Sequence, residues 1–167
     1  MSRLVLVSNR VMDMRNAAQA GGMAVALADV ARETNGMWFG WNGETADAAN
    51  ADVVVRAGRT ATAPLTNSEY EGYYLGYANS VLWPVFHNRL DLAQFEAGYF
   101  AHYQATNRRL ATLLQPMLRP DDMIWVHDYH LIPFASELRK LGVKNAIGFY
   151  LHIPFPPWQT FMAIPEH

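Results

Sequence analysis

Leu4-Val5-Leu6-Val7-Ser8-Asn9-Arg10 is the stretch that decides the fold, because four consecutive β-prone apolar residues run directly into three polar ones. An unbroken apolar run without alternation fits a strand buried on both faces, the environment of an interior strand in a parallel sheet. Two later segments repeat the pattern. Asp122-Met123-Ile124-Trp125-Val126-His127 leads into Asp128-Tyr129-His130, and Ala146 to Leu151 leads into His152-Ile153-Pro154-Phe155-Pro156-Pro157. The prolines there forbid both ladder and helix continuation, so a third core strand is expected to stop at that point.

Helix signals lie between these strands. Met23 to Arg32 is rich in helix formers and is bracketed by Gly21-Gly22 and Asn35-Gly36. The connection from Ser8 to Ala20 is longer than the roughly 2 to 6 residues usual for a βα loop, a mark of functional loops. Phe95, Tyr99, His102, Thr106, Leu110, Leu113 and Met117 recur at helical spacing and predict a long amphipathic helix that Pro116 and Pro120 end. Ile132 to Leu141, with Pro133 near its start and Gly142 after its end, predicts another. Met37 to Trp41 and Asp52 to Arg56 read as short strands in a hairpin-like excursion across Asn42-Gly43-Glu44. The alternation of strands and helices predicts an α/β fold, a doubly wound and mostly parallel Rossmann-like sheet with right-handed crossovers.

The chain has 167 residues, 51% of them hydrophobic, and chains divide into further domains only at roughly 250 to 300 residues. One domain over 1–167 is therefore expected. The formal net charge is −2 and the charges are interspersed, which leaves no footprint for nucleic acid or anionic membrane. There is no cysteine, so disulfides, thiolate metal sites and cysteine nucleophiles drop out. Leu4 to Val7 is shorter than a signal-peptide core of roughly 7 to 15 residues, and no stretch reaches the roughly 20 apolar residues of a membrane helix. A soluble, cytoplasmic protein is the expectation.

In open α/β sheets ligands bind beyond the carboxyl ends of the strands. Ser8-Asn9-Arg10, His127-Asp128-Tyr129-His130 and His152-Ile153-Pro154 are all expected at that edge. Arg10 offers a planar guanidinium suited to a phosphate, or it is a surface arginine at a strand end. Gly21-Gly22 before a helix either lets backbone N–H groups approach an anion or makes a simple turn. The pattern is neither Gly-x-Gly-x-x-Gly nor a Walker loop. His127, Asp128 and His130 suggest a metal site at first sight, but neighbours along a strand point to opposite faces, and at most two of them face one ion. No metal and no cofactor are expected; a metal-dependent hydrolase built on these three is the competing class and requires bound metal. Asp128 either polarises a sugar hydroxyl or caps the helix that follows. His152 is held by the proline-rich stretch, as a substrate contact or as a satisfied strand-end histidine. Tyr70, Tyr73, Tyr74, Tyr77 and Trp83 supply either sugar-stacking rings or core.

Taken together, Leu4 to Arg10, Ala20-Gly21-Gly22, Trp38-Phe39-Gly40-Trp41, Leu82-Trp83-Pro84, His127-Asp128-Tyr129-His130-Leu131 and Leu151-His152-Ile153-Pro154-Phe155-Pro156 resemble the trehalose-6-phosphate synthases, glycosyltransferase family 20. The resemblance implies the N-terminal, acceptor-binding domain of a GT-B enzyme that transfers glucose, with retention, from UDP-glucose to glucose 6-phosphate. It implies catalytic roles for Asp128 and His152. Arg10, Tyr74, Trp83, Asp128 and Trp41 would contact glucose 6-phosphate, and Gly21, Gly22 and His152 the UDP-glucose donor. Trp83 and Ile153 would select the α-anomer. The full-length enzyme would be homo-oligomeric. The donor domain is expected to be missing from 1–167, leaving an inactive truncated fragment or, as the alternative, a non-catalytic sugar-phosphate binding module. One departure is Pro157-Trp158-Gln159, where the family usually has a small residue and then a glutamate. The apolar segment Phe155 to Trp158 is expected on an interdomain face.

Overall fold

The computed structural model describes residues 2–11 and 22–166. In chain order the elements begin with β1 (Leu4–Arg10), α1 (Gly22–Glu33), β2 (Met37–Ala46), α2 (Ala48–Ala51), β3 (Val55–Ala57), β4 (Thr60–Thr66) and α3 (Asn67–Glu69). A π-helix (Tyr70–Leu82) and α4 (Trp83–Phe86) follow, then α5 (Tyr99–Leu114), β5 (Met123–His127), α6 (Phe134–Lys140), β6 (Ala146–Tyr150) and α7 (Trp158–Phe161).

The strands form one sheet of order β3-β4-β2-β1-β5-β6. Every pairing is parallel except β3 with β4. β1 sits in the middle, with β2 on one side and β5 on the other, so the chain reverses its direction of travel across the sheet beside β1. This is the position at which open α/β sheets open a crevice for ligand.

The period of two along β1 sorts its side chains between two layers. Val5 and Val7 join Phe39, Ile124 and Val126 beneath Leu110 and Leu114 of α5 and Phe134 and Leu138 of α6. Leu6 points the other way, to Trp38 and to Leu27, Ala28 and Ala31 of α1. Helices therefore cover both faces, as the apolar run of β1 requires. A third cluster, with Trp41, Tyr73, Tyr77, Phe86, Tyr103 and Tyr129, is built largely by the π-helix, α4 and α5.

Several local expectations need correction. Asn42-Gly43-Glu44 is no hairpin turn, since β2 runs through it to Ala46. The antiparallel pair is β3–β4, turning at Gly58 with φ +60°, and β4 instead lies parallel to β2. The unexpected strand is Thr60–Thr66, whose proline and threonines gave no continuous apolar signal. The long helix starts at Tyr99, not Phe95, because Gly98 at φ +98° sets the chain direction. Its buried stripe is Tyr103, Thr106, Asn107, Leu110, Ala111 and Leu114, rotated from the expected one. β6 is an edge strand with Phe149 and Tyr150 exposed, not a core strand. Phe155 and Trp158 are 60% and 63% exposed, an apolar patch of the kind that marks contact surfaces.

Long-range ties fasten the frame. Glu69 completes a capping box with Thr66 at the start of α3, and its carboxylate accepts from Arg109 Nε at 2.7 Å and Nη2 at 2.6 Å. Arg3 donates to Asp122 through Nε at 3.0 Å and Nη2 at 2.6 Å, joining the starts of β1 and β5. Burial pushes the Asp122 carboxyl up, but the bonds from Arg3 and from the Arg119 N–H outweigh it and hold the carboxyl below its ordinary value.

Two outcomes follow for stability. Leu110→Ala removes a fully buried side chain from the layer under α5 and should cost about 2–5 kcal/mol, whereas Val55→Ala, at an exposed site, should stay within about 0.5 kcal/mol; urea denaturation compares the two. Because the folded pKa of Asp122 is depressed, its contribution is present above about pH 4 and lost as pH falls through the folded value. Asp122→Asn should therefore flatten the acid limb of a stability–pH curve below about pH 4.

Candidate functional site

At the carboxyl edge of the sheet, β1 and β2 both break register: between Ser8 and Arg10, and between Trp41 and Thr45. Such irregularities re-aim side chains at strand ends. Ser8 pins this one, because its Oγ donates to Arg10 O at 2.9 Å while accepting from Trp38 Nε1 at 2.8 Å. Arg10 pairs with Trp41, and its guanidinium carbon lies 5.7 Å from the centre of that ring. Gly43, at φ +91°, makes room: a Cβ there would stand 2.7 Å from Arg10 Nη2. Arg10 itself remains exposed.

From Trp41 a line of rings crosses the crevice. Trp41 meets Tyr70 and Tyr74 at 5.9 and 5.1 Å; Tyr74 stacks on His130 at 5.8 Å, and His130 on Tyr129 at 4.0 Å. The wide winding of the π-helix, common near functional sites, divides its tyrosines. Tyr70 and Tyr74 are half-buried and adjoin Trp41, while Tyr73 and Tyr77 are core. The buried Tyr73 hydroxyl donates to Asn9 Oδ1 at 2.7 Å, which ties the π-helix to the tip of β1.

The tip of β5 is strained. Asp128 has φ 77° and ψ 166°, a region that is essentially glycine-only and costs on the order of 1–3 kcal/mol. The surroundings enforce it: Asp128 N donates to Tyr150 O at 2.8 Å, and Asp128 O accepts from Leu131 N at 3.0 Å. Its carboxylate Oδ1 lies 3.3 Å from the backbone N–H of His152. One residue earlier, His127 Nδ1 is 3.0 Å from His152 Nε2. Burial, and then the neighbouring His152, lower the pKa of His127 to about 4. Burial alone lowers that of His130 to about 3. Both rings are thus neutral at neutral pH.

The structure joins Arg10, Trp41 and Tyr74 in one contact chain and Asp128 and His152 in another, with His130 and Tyr129 between them. Trp83 is 39% exposed at the start of α4 and packs on His87 at 4.3 Å; among the described residues no ring contact joins it to Trp41 or Tyr74. Ile153 is half-buried against the tyrosine-rich cluster. Gly22 opens α1, and a Cβ placed on it would meet nothing within 4 Å among the described residues. Gly21 and most of the Ser8–Ala20 connection lie outside the described residues. Among the described residues no group of three or more histidine, aspartate or glutamate side chains is arranged to hold a metal ion, and no helix is long and apolar enough to cross a membrane. Asn9, Gly43 and Tyr73 support the site in ways the sequence did not assign them: Asn9 was only part of a strand tip, Gly43 part of an expected turn, and Tyr73 one of several rings. Their adjacency to Arg10, Trp41 and Tyr74 is the signal that points to these supporting roles.

With this geometry in hand, the family model of glycosyltransferase family 20 matches residues 3–167. The chain belongs to glycosyltransferase family 20. A curated trehalose-6-phosphate synthase of Citrobacter koseri is 50% identical over 169 residues, covering 100% of this chain and 36% of that protein. The solved α,α-trehalose-phosphate synthase (UDP-forming) of Burkholderia xenovorans in complex with glucose-6-phosphate is 49% identical with a TM-score of 0.90, covering 99% of this chain and 37% of that one. The E. coli trehalose-6-phosphate protein bound with UDP-2-fluoro glucose is 47% identical with a TM-score of 0.87, covering 98% and 36%. The family 20 chain thus spans little more than a third of the length of the relatives it matches. Its mostly parallel α/β sheet matches the N-terminal part of GT-B enzymes.

Asp128→Gly should relieve the backbone strain and raise stability by about 1 kcal/mol, since the glycine's extra unfolded-state entropy offsets part of the roughly 1–3 kcal/mol gain; thermal unfolding checks it. The depressed pKa values of His127 and His130 mean that the unfolded chain binds more protons below about pH 6.5. Stability is thus full above that pH and should fall as pH drops toward 4 and then 3. His130→Phe should flatten this decline.

Proposed function

We propose that this chain, residues 1–167, is the acceptor-binding domain of a trehalose-6-phosphate synthase. The enzyme carries glucose from UDP-glucose to glucose 6-phosphate and forms α,α-trehalose 6-phosphate and UDP with retention. The observation that carries the reading is the strained Asp128 at the switch point of the sheet, its carboxylate against the backbone of His152. That strain lies in a chain about half identical to the synthases.

Arg10 takes the phosphate. Its guanidinium gives bidentate, charge-assisted hydrogen bonds, and in its present position it lies over the Trp41 ring in the space that Gly43 leaves free. Asp128 accepts from a hydroxyl of the acceptor sugar, Tyr74 and Trp41 wall the pocket, and Trp83 closes it toward the anomeric centre. Gly22 opens α1, and the backbone N–H groups of Gly21 and Gly22 meet the donor diphosphate in this proposal. His152 and Ile153 meet the transferred glucosyl unit. During transfer the bond from glucosyl C1 to the diphosphate oxygen breaks and a bond from C1 to the acceptor hydroxyl oxygen forms on the same face. The leaving diphosphate takes the hydroxyl proton. No metal or cofactor enters this scheme. The cations that neutralise leaving UDP belong to a donor domain outside 1–167. Each preorganised stabiliser of that charge is worth about 2.7–4 kcal/mol, so the chain alone is expected to be inactive. A cytoplasmic, homo-oligomeric full-length enzyme completes the proposal.

Calorimetry with glucose 6-phosphate tests the acceptor half. The chain should bind it, and Arg10→Ala should weaken binding roughly 10- to 100-fold, from the loss of about 1.5–3 kcal/mol of hydrogen bonding to a charged group. Arg10→Lys should recover only part of this, for want of the fork. No binding, or binding indifferent to Arg10, would count against the assignment. In a protein extended by the donor domain, UDP release should depend on glucose 6-phosphate.

A further inference from the structure

His127 ends β5 with its ring buried against Trp125 at a centroid distance of 4.5 Å and with Nδ1 3.0 Å from Nε2 of the exposed His152. The ring is neutral at neutral pH, and its own Nε2 has no partner among the described residues. Two nitrogens at this separation share one proton, so one ring donates and the other accepts. If His127 accepted at Nδ1, its proton would sit on Nε2 as a buried N–H without a partner. Orphaned buried N–H groups are rarer than under-satisfied acceptors, so the less costly arrangement keeps the proton on Nδ1, facing His152, and leaves only a lone pair in the interior.

We propose that His127 is a positioning residue for His152: its Nδ1–H donates to His152 Nε2 and locks that ring as the Nδ1–H tautomer. The proton that one imidazole nitrogen carries is set by the hydrogen bond made at the other. His152 Nε2 then has no room for a proton of its own without meeting that of His127. The ring enters the site as a neutral donor at Nδ1, suited to a hydroxyl oxygen of a sugar. It also places no positive charge beside the oxocarbenium-like carbon that develops in glycosyl transfer. Among the described residues, the titratable groups that contact His152 are His127 from β5, the Asp128 carboxylate beneath its backbone N–H, and Tyr150, whose ring lies 4.8 Å away. Neither of the other two contacts Nε2 as His127 does. The role in sugar recognition rests on the function proposed above; the tautomer does not.

Long-range proton–nitrogen NMR correlations on this chain at about pH 8, well above the pKa of about 4 of His127, read the tautomers directly, with no sugar present. In the wild type His152 should be protonated at Nδ1 and bare at Nε2. His127→Phe should return it to the Nε2–H form that free imidazoles favour. His127→Asn, whose side-chain N–H stands where Nδ1–H stood, should keep the Nδ1–H form. A wild-type His152 protonated at Nε2, a folded His127→Phe with an unchanged His152, or His127→Asn behaving like His127→Phe would each overturn the proposal. If a variant does not fold, the wild-type spectrum decides alone. Failure here leaves the glucosyltransferase reading intact, and a chain that ignores glucose 6-phosphate removes that reading without altering the tautomer.

Discussion

Val5 and Val7 face one apolar layer and Leu6 the other, so β1 is satisfied only in the interior of a sheet whose two faces are both covered by helices. Crossover connections then make its neighbours parallel, and parallel strands end at one edge. Arg10, Asp128 and His152 reach the same rim for this reason and for no local one. The reversal of strand order beside β1 opens that rim into a crevice.

Around the crevice, polar groups are held by second partners that take up the cost of their positions. Ser8 fixes the bulge that turns Arg10 outward, Gly43 vacates the space its guanidinium fills, and Tyr73 reaches from the π-helix to hold Asn9. Asp128 is kept in a glycine-like conformation by hydrogen bonds on both sides of its peptide unit. Natural folds keep such strain where surrounding contacts over-determine it, which is most often at a binding site. The buried imidazoles of His127 and His130 sit just behind this rim and are neutral because burial penalises their charged forms.

Much of the frame is legible in the primary structure. The apolar runs Leu4 to Val7, Met123 to Val126 and Ala146 to Leu151 fall on β1, β5 and β6, and the helix formers from Met23 to Arg32 fall within α1. Each signal is local, since it depends on propensity and periodicity within one segment. β4 escaped because Thr60-Ala61-Thr62-Ala63-Pro64 has neither strong alternation nor a continuous apolar run, and its burial comes from β2 and from the helices laid over it. The edge position of β6 escaped because apolar composition states what a strand can bury, not which neighbours it finds. Arg10, Trp41, Tyr74, Asp128 and His152 were nameable from their places at strand tips and in motifs. The partnership of Trp41 with Tyr74 and of His127 with His152 was not, because it joins residues 33 and 25 positions apart through a packing arrangement.

The sequence by itself therefore determined that the segments from Leu4, Met123 and Ala146 become strands, that polar residues follow each of them, and that the chain resembles family 20, since each of these is written in adjacent residues. The tertiary structure alone decided the turn at Gly58, the π-winding that parts Tyr70 and Tyr74 from Tyr73 and Tyr77, the strain at Asp128 and the pairing of the two histidines. These depend on where distant segments meet, and that is set by the simultaneous packing of both sheet faces rather than by any one stretch of chain.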